Sequence, residues 1–186
     1  MFEFPSMKQI YEFANNEMRP VVLYDKLKSI LNVLHKLGCI VYFTVENNSV
    51  GEAIIALYEA DQNPPMGEFV SETGKGKLGF YTHDKIKLKM ALRMKELIER
   101  GTLVILSKTV LKELKNYVRK GSAYAANIGA TDDRVSALLL LVRVLLEITE
   151  FEQSAYELFY TYEGEADEYT NNEREEKADL YFGMIL

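Results

Sequence analysis

The stretch Val41-Tyr-Phe-Thr-Val-Glu46-Asn-Asn-Ser-Val-Gly51 constrains the fold of this chain more than any other. Ile40 to Val45 are apolar, β-branched or aromatic, the composition of a short buried strand. The run stops at Glu46 and passes into two Asn, a Ser and a Gly. Asn47, Asn48 and Gly51 suit a turn that needs positive φ or side-chain-to-backbone hydrogen bonds. From Glu52 to Ala60 the apolar spacing is helical. A strand, an acidic turn and a helix therefore form one unit, and α/β folds place their chemistry at the carboxyl ends of such strands.

The remaining segments extend the α/β pattern. Met7 to Phe13 alternates apolar and polar residues after Phe4-Pro5, which predicts a strand ending at Asn15-Asn16. Arg19-Pro20 opens a helix with a stripe of Leu23, Leu27, Ile30, Leu31 and Leu34, and Gly38 closes it. Two strand-like pieces, Glu68–Ser71 and Leu78–Tyr81, flank Thr73-Gly-Lys-Gly-Lys77, a basic loop or hairpin tip. A helix from Thr82 or Asp84 to Arg100 stops at Gly101, followed by a second buried strand over Leu103–Leu106. Thr109–Val118 is predicted as an amphipathic helix and Ser122–Ala126 as a short strand. The helix from Asp132-Asp133 to Glu147 is apolar almost all round, so it is expected inside the domain. Residues 1–150 make one α/β domain on this reading. Residues 151–162 extend it as a helix. Residues 163–186 form an acidic tail whose apolar end, Leu180 to Leu186, docks on the domain or on a partner.

Charge distribution matters more than net charge. The chain carries −6 overall, yet residues 75–120 hold 13 Lys and Arg against 4 Asp and Glu. A basic segment inside an acidic protein fits either a solvated helix face or a phosphate backbone. Other classes are disfavoured. Gly74 and Gly76 lack the spacing of a nucleotide P-loop or a dinucleotide fingerprint. Two His and one Cys are too few for a typical zinc site, and there is no Gly-x-Ser-x-Gly elbow. Cys39 beside a buried strand reads as a small hydrophobe, consistent with a cytoplasmic protein. No apolar run approaches the ~20 residues of a membrane helix.

The acidic residues carry the chemical reading. Glu46 ends a core strand, and Asp132 and Asp133 begin a buried helix. Helix capping and dipole compensation explain the two Asp by themselves. Brought together with Glu46, they make a set of hard oxygen ligands for Mg²⁺ or Mn²⁺, the ions used in phosphodiester cleavage.

Tyr42-Phe-Thr-Val-Glu46-Asn-Asn-Ser-Val-Gly51, the basic helix with its following strand, and Gly129-Ala-Thr-Asp132-Asp133-Arg-Val-Ser-Ala together resemble the C-terminal nuclease domain of tailed-phage terminase large subunits. Phe4-Pro-Ser-Met-Lys-Gln9 and Gly121-Ser-Ala-Tyr-Ala125 add to the likeness, which spans about residues 4–150. The resemblance implies a ribonuclease H-like fold, a mixed sheet flanked by helices, with two Mg²⁺ or Mn²⁺ ions in the full-length enzyme. It implies Glu46 and Asp132 or Asp133 as catalytic metal ligands. It also puts Lys75, Lys77, Lys85, Lys89 and Arg93 near double-stranded DNA. Further implied partners are an N-terminal ATPase domain, the portal and the small terminase subunit, with no membrane, in the host cytoplasm. The first catalytic Asp of that family, on a central first strand ahead of the Phe4–Phe13 region, has no counterpart at the start of this sequence. The expected fold therefore lacks the first strands and one ligand of three. A non-catalytic DNA- or partner-binding module, or another ribonuclease H-like nuclease, remains the alternative.

Overall fold

The computed structural model describes residues 1–15, 17–120, 123–127, 129–148 and 181–185. The predicted helix over 151–162 and the acidic stretch 163–177 lie outside these.

The organising unit forms as the pattern requires. β3 (Ile40–Thr44) is buried from Val41 onward. It turns at Glu46 and enters α2 (Ser49–Ala60). The side chains of β3 alternate between the two faces of the sheet, as strand geometry demands. Val41, Phe43 and Val45 pack on Tyr24, Leu27 and Leu31 of α1 (Pro20–Lys36) and on Ile54 of α2. Tyr42 joins the larger core on the other face, built from α3 (Asp84–Glu99) and α5 (Asp133–Ile148). Thr44, also fully buried, satisfies its hydroxyl on the Val70 carbonyl at 2.7 Å.

The N-terminal strand differs from the expectation. Two short strands, β1 (Phe2–Phe4) and β2 (Lys8–Gln9), form an antiparallel hairpin instead of one continuous strand through Phe13. Met7 turns the chain at φ 50 and is itself buried. The segment Leu103–Leu106 contributes one parallel bridge, Lys8 to Val104, rather than a full strand. The buried Gln9 side chain supports it, accepting from the Leu106 and Ser107 amides at 3.1 and 2.9 Å.

Glu68–Ser71 and Leu78–Tyr81 do not pair with each other. Both lie along β3. β4 (Glu68–Phe69) is parallel to Tyr42–Phe43, and Phe80 makes a parallel bridge with Glu46. The Gly-Lys loop bulges out between them, its ends tied to one edge of β3. The predicted helix over Thr109–Val118 is shorter, α4 (Lys108–Lys115), capped by Ser107. Its last residues instead open β5 (Tyr117–Lys120), which pairs antiparallel with β6 (Ala123–Ala126) in a separate two-stranded ribbon.

Among the described residues the main sheet has five strands, in the order β2-β1-β7-β3-β4, where β7 is Tyr181–Ile185. The expectation was a sheet without its first strands. The position between β1 and β3 is occupied by β7 (Tyr181–Ile185), from the apolar end of the chain. It runs antiparallel to β1 and parallel to β3, with Tyr42 opposite Gly183 and Thr44 opposite Ile185. Among the described residues, β1 and β3 are joined only through this strand. An interior gap of that kind would leave two rows of backbone donors and acceptors without partners, which is costly when buried.

Candidate metal and nucleic-acid site

Glu46 is held by its neighbours on both sides. The Phe80 amide donates to the Val45 carbonyl at 3.1 Å, and the Asn47 amide donates to the Phe80 carbonyl at 2.8 Å. Phe80 thus brackets the residue between them. Asn48 is the N-cap of α2: its Oδ1 accepts from the Gly51 amide at 3.0 Å. Its Nδ2 donates to Glu46 Oε2 at 3.1 Å, which orients the carboxylate. Asn47 reaches the Leu78 carbonyl at 3.4 Å. Neither Asn adopts positive φ, so of the two reasons foreseen for this turn it is side-chain hydrogen bonding that operates. Gly51 has a third reason. A Cβ there would lie 1.7 Å from the Glu46 carbonyl oxygen, so only glycine lets α2 start against this turn. Gly79, at φ 78, similarly hugs the Val45 carbonyl.

Asp133 begins α5, and Asp132 precedes it. Adjacent residues on a helix point ~100° apart, so the two carboxylates cannot share one direction. Asp132 caps the helix with its carbonyl, which accepts from Ser136 at 2.8 Å. Its Oδ2 accepts from the Ala126 amide at 3.3 Å, toward the β5–β6 ribbon. There its charge adds to burial in pushing the Tyr117 hydroxyl up to about 12. Asp133 goes the other way. It lines a cleft of about 220 Å³ with Glu46, Asn48, Gly51, Ser136 and Leu140. The structure therefore brings Glu46 together with Asp133, and it turns Asp132 aside.

The start of α5 is anchored from below. Glu113 on α4 is buried, and it accepts from the Arg134 amide at 2.9 Å, from Arg134 Nη1 at 2.6 Å and from the Thr131 hydroxyl at 3.2 Å. Arg134 also pairs with Glu12. The hydrogen bonds to Glu113 hold its guanidinium above the usual value.

Along α5, residues 133, 136, 140, 143 and 147 follow at helical spacing and share one face. Sequence reasoning passed over Ser136 and Arg143 here because the helix reads as apolar throughout, although the spacing from Asp133 was visible. Arg143 is the only charged residue buried in this helix among those described. It lies over the Phe80 ring at 4.4 Å and donates to the Tyr81 carbonyl at 3.0 Å. It also meets Glu72 at 3.3 Å, an ion pair rather than an aligned hydrogen bond. Burial pulls its guanidinium below the usual value, and Glu72 counteracts this. With Glu46, Thr82, Lys87 and Ser136 it lines a second, very small cavity beside the cleft.

The basic residues singled out from the sequence fall in two groups, one on the loop 73–78 and one on α3. The loop 73–78 rises from the edge of β3, with Lys75 and Lys77 exposed and Lys75 paired to Glu72 at 3.1 Å. Thr73 at its base donates its hydroxyl to Glu147 Oε2 at 2.6 Å. On α3, Lys85 and Lys89 are exposed one turn apart, while Arg93 is engaged with Glu96. Lys87, not singled out beforehand, lines the small cavity together with Glu46.

As a donor set, Glu46, Asp133, Asn48 and Ser136 offer carboxylate, amide and hydroxyl oxygens, and Mg²⁺ and Mn²⁺ take such ligands. No group of three or more His, Cys, Asp or Glu close enough to hold an ion occurs among the described residues. These donors fit such an ion in kind.

The fold is a mixed α/β domain of helices and small sheets, consistent with a ribonuclease H-like domain. The model of one family, the terminase RNaseH-like domain, matches residues 7–143, and the chain belongs to that family. That membership gives it the role of a terminase nuclease domain. No curated protein matches the chain.

Proposed function

We propose that the chain is the segment of a phage terminase large subunit that hydrolyses double-stranded DNA endonucleolytically, with Mg²⁺ or Mn²⁺, during genome packaging. The observation that carries this reading is the cleft lined jointly by Glu46 and Asp133. When bound there, a divalent ion supplies charge stabilisation and a nucleophile at neutral pH. The residues of the chain do the rest. Glu46 and Asp133 hold the ion, Asn48 orients Glu46, and Asp132 fixes the helix start. Lys75, Lys77, Lys85, Lys89 and Arg93 contact phosphates, so sequence preference is slight. The ATPase domain of the full protein, the portal and the small subunit are the packaging partners, and the host cytoplasm is the setting.

The test is a Mn²⁺ titration of the full chain followed by a cleavage assay on supercoiled DNA in the terminase that contains it. Glu46→Gln and Asp133→Asn are expected to abolish cutting and leave DNA binding intact, whereas Asp132→Asn retains cutting. Unchanged cutting in the first two variants would remove the assignment. Among the described residues only Glu46 and Asp133 bring acids to the cleft, which favours one second reading, a DNA-binding module without cleavage. It predicts binding that weakens steeply with salt and does not respond to metal.

A further inference from the structure

Two carboxylates bind one ion only if their separation is held, and Glu46 and Asp133 belong to different elements. Asp133 rides on α5. Glu46 ends β3 and is bracketed by the backbone of Phe80. On α5, Arg143 makes the polar contact with this bracket. Its guanidinium stacks on the Phe80 ring and grips the Tyr81 carbonyl, ten residues along the same helix from Asp133.

We infer that Arg143 is a positioning residue that sets the distance between Glu46 and Asp133 by clamping the Phe80–Tyr81 segment to α5. This rests on the proposed reading of the acid pair as a cation site. The same guanidinium meets Glu72, and Glu147, one turn further, takes Thr73. Both carboxylate contacts lie at the base of the Gly-Lys loop, and the far end of that loop meets Asn47 through the Leu78 carbonyl. One face of α5 therefore ties three things into a single body: Asp133, the turn after Glu46, and the loop that carries Lys75 and Lys77. Arginine suits the task because its planar fork stacks and donates in several directions at once, which a lysine does not do.

The experiment compares Arg143→Met with Leu145→Ala in the full chain. Leu145 is buried on another side of the same helix, against Phe2 and Phe4. It serves as a control for lost stability. Amide hydrogen exchange is read first, without metal. The Phe80 and Asn47 amides are expected to exchange about tenfold faster in Arg143→Met than in Leu145→Ala, the scale of a lost charge-assisted contact. Arg143→Lys is expected to fall between wild type and Arg143→Met. Mn²⁺ affinity is read second, and Arg143→Met is expected to weaken it about tenfold, as loss of an orienting partner does. If exchange rises by the same factor across the whole chain in both variants, Arg143 only stabilises and the inference is overturned. If wild-type chain binds no Mn²⁺, the reading of the acid pair fails, while the Phe80 and Asn47 amides still decide whether Arg143 holds the bracket.

Discussion

The two faces of the central sheet are built from the same strands and serve different ends. On the side toward α1 and α2 the face of β3 is apolar: Val41, Phe43 and Val45 meet Tyr24, Leu27, Leu31 and Ile54. Phe43 packs edge-on to Tyr58 and Phe69, with ring centroids at 6.0 and 4.9 Å. The face toward α3 and α5 has the larger core, yet it admits Arg143, and Glu113 supports the start of α5 below the cleft. Burying such groups is tolerated only where each finds a partner, which is why both sit in contact networks. The comparison teaches that this domain separates its tasks: one face supplies stability, and the other accepts polar burial to hold a cleft in shape.

Breaking the apolar face has the largest effect expected on stability. Phe43→Ala removes both ring contacts and should cost about 3–5 kcal/mol in urea unfolding. Protein that remains folded should keep its Mn²⁺ affinity, and a parallel loss of affinity would contradict the separation. Gly51→Ala acts at the boundary. It forces a methyl group against the Glu46 carbonyl and should cost about 1–3 kcal/mol as overpacking. Unlike Phe43→Ala, it should also weaken Mn²⁺ binding because the turn must move.

Glu113→Gln probes the buried support of α5. Weakening the charge-assisted bonds to Arg134 and Thr131 should cost on the order of 2 kcal/mol, seen as a lower urea midpoint. Glu46→Gln sharpens the contrast from the other side. Its amide oxygen still accepts from Asn48, so stability should change by less than about 0.5 kcal/mol while Mn²⁺ binding is lost. A large drop in stability would mean that Glu46 is structural.

The smallest effect lies behind the apolar face. Asp61 at the end of α2 accepts from Lys28 at 2.5 Å and from the Tyr24 hydroxyl at 2.9 Å. The bond from Lys28, then that from the Asn63 amide, holds its carboxyl below the usual range. A carboxyl depressed by folding contributes stability above its unfolded value and loses it as pH falls through the folded one. Asp61→Asn should therefore lower the melting temperature slightly near neutral pH and leave it unchanged in acid. An equal loss at both pH values would show that the ion pair contributes nothing.

Much of the architecture was legible from local pattern. β3, its turn and α2 follow from a run of six β-branched or aromatic residues, two Asn and a Gly. α1, α3 and α5 follow from helical spacing and their end signals. Misreadings arose where local pattern was ambiguous. Met7 to Phe13 alternates, but Met7 turns the chain and the strand that follows ends at Gln9. Tyr117 and Val118 look like the end of an amphipathic helix until the β5–β6 pairing claims them.

What the sequence determined by itself was β3 and the helices α1, α2, α3 and α5, the acidic turn at the end of β3 and the pair of Asp at the start of α5. Those are properties of residues close together in the chain, where spacing and turn chemistry suffice. The tertiary structure alone decided which Asp faces Glu46, that Arg143 clamps Phe80, and that Tyr181–Ile185 stands between β1 and β3. Each of these depends on partners far away in sequence. A helix turns ~100° per residue, so the orientation of a terminal carboxylate is set by the docking of the whole helix. A strand position is settled by which distant backbone groups would otherwise be buried without partners.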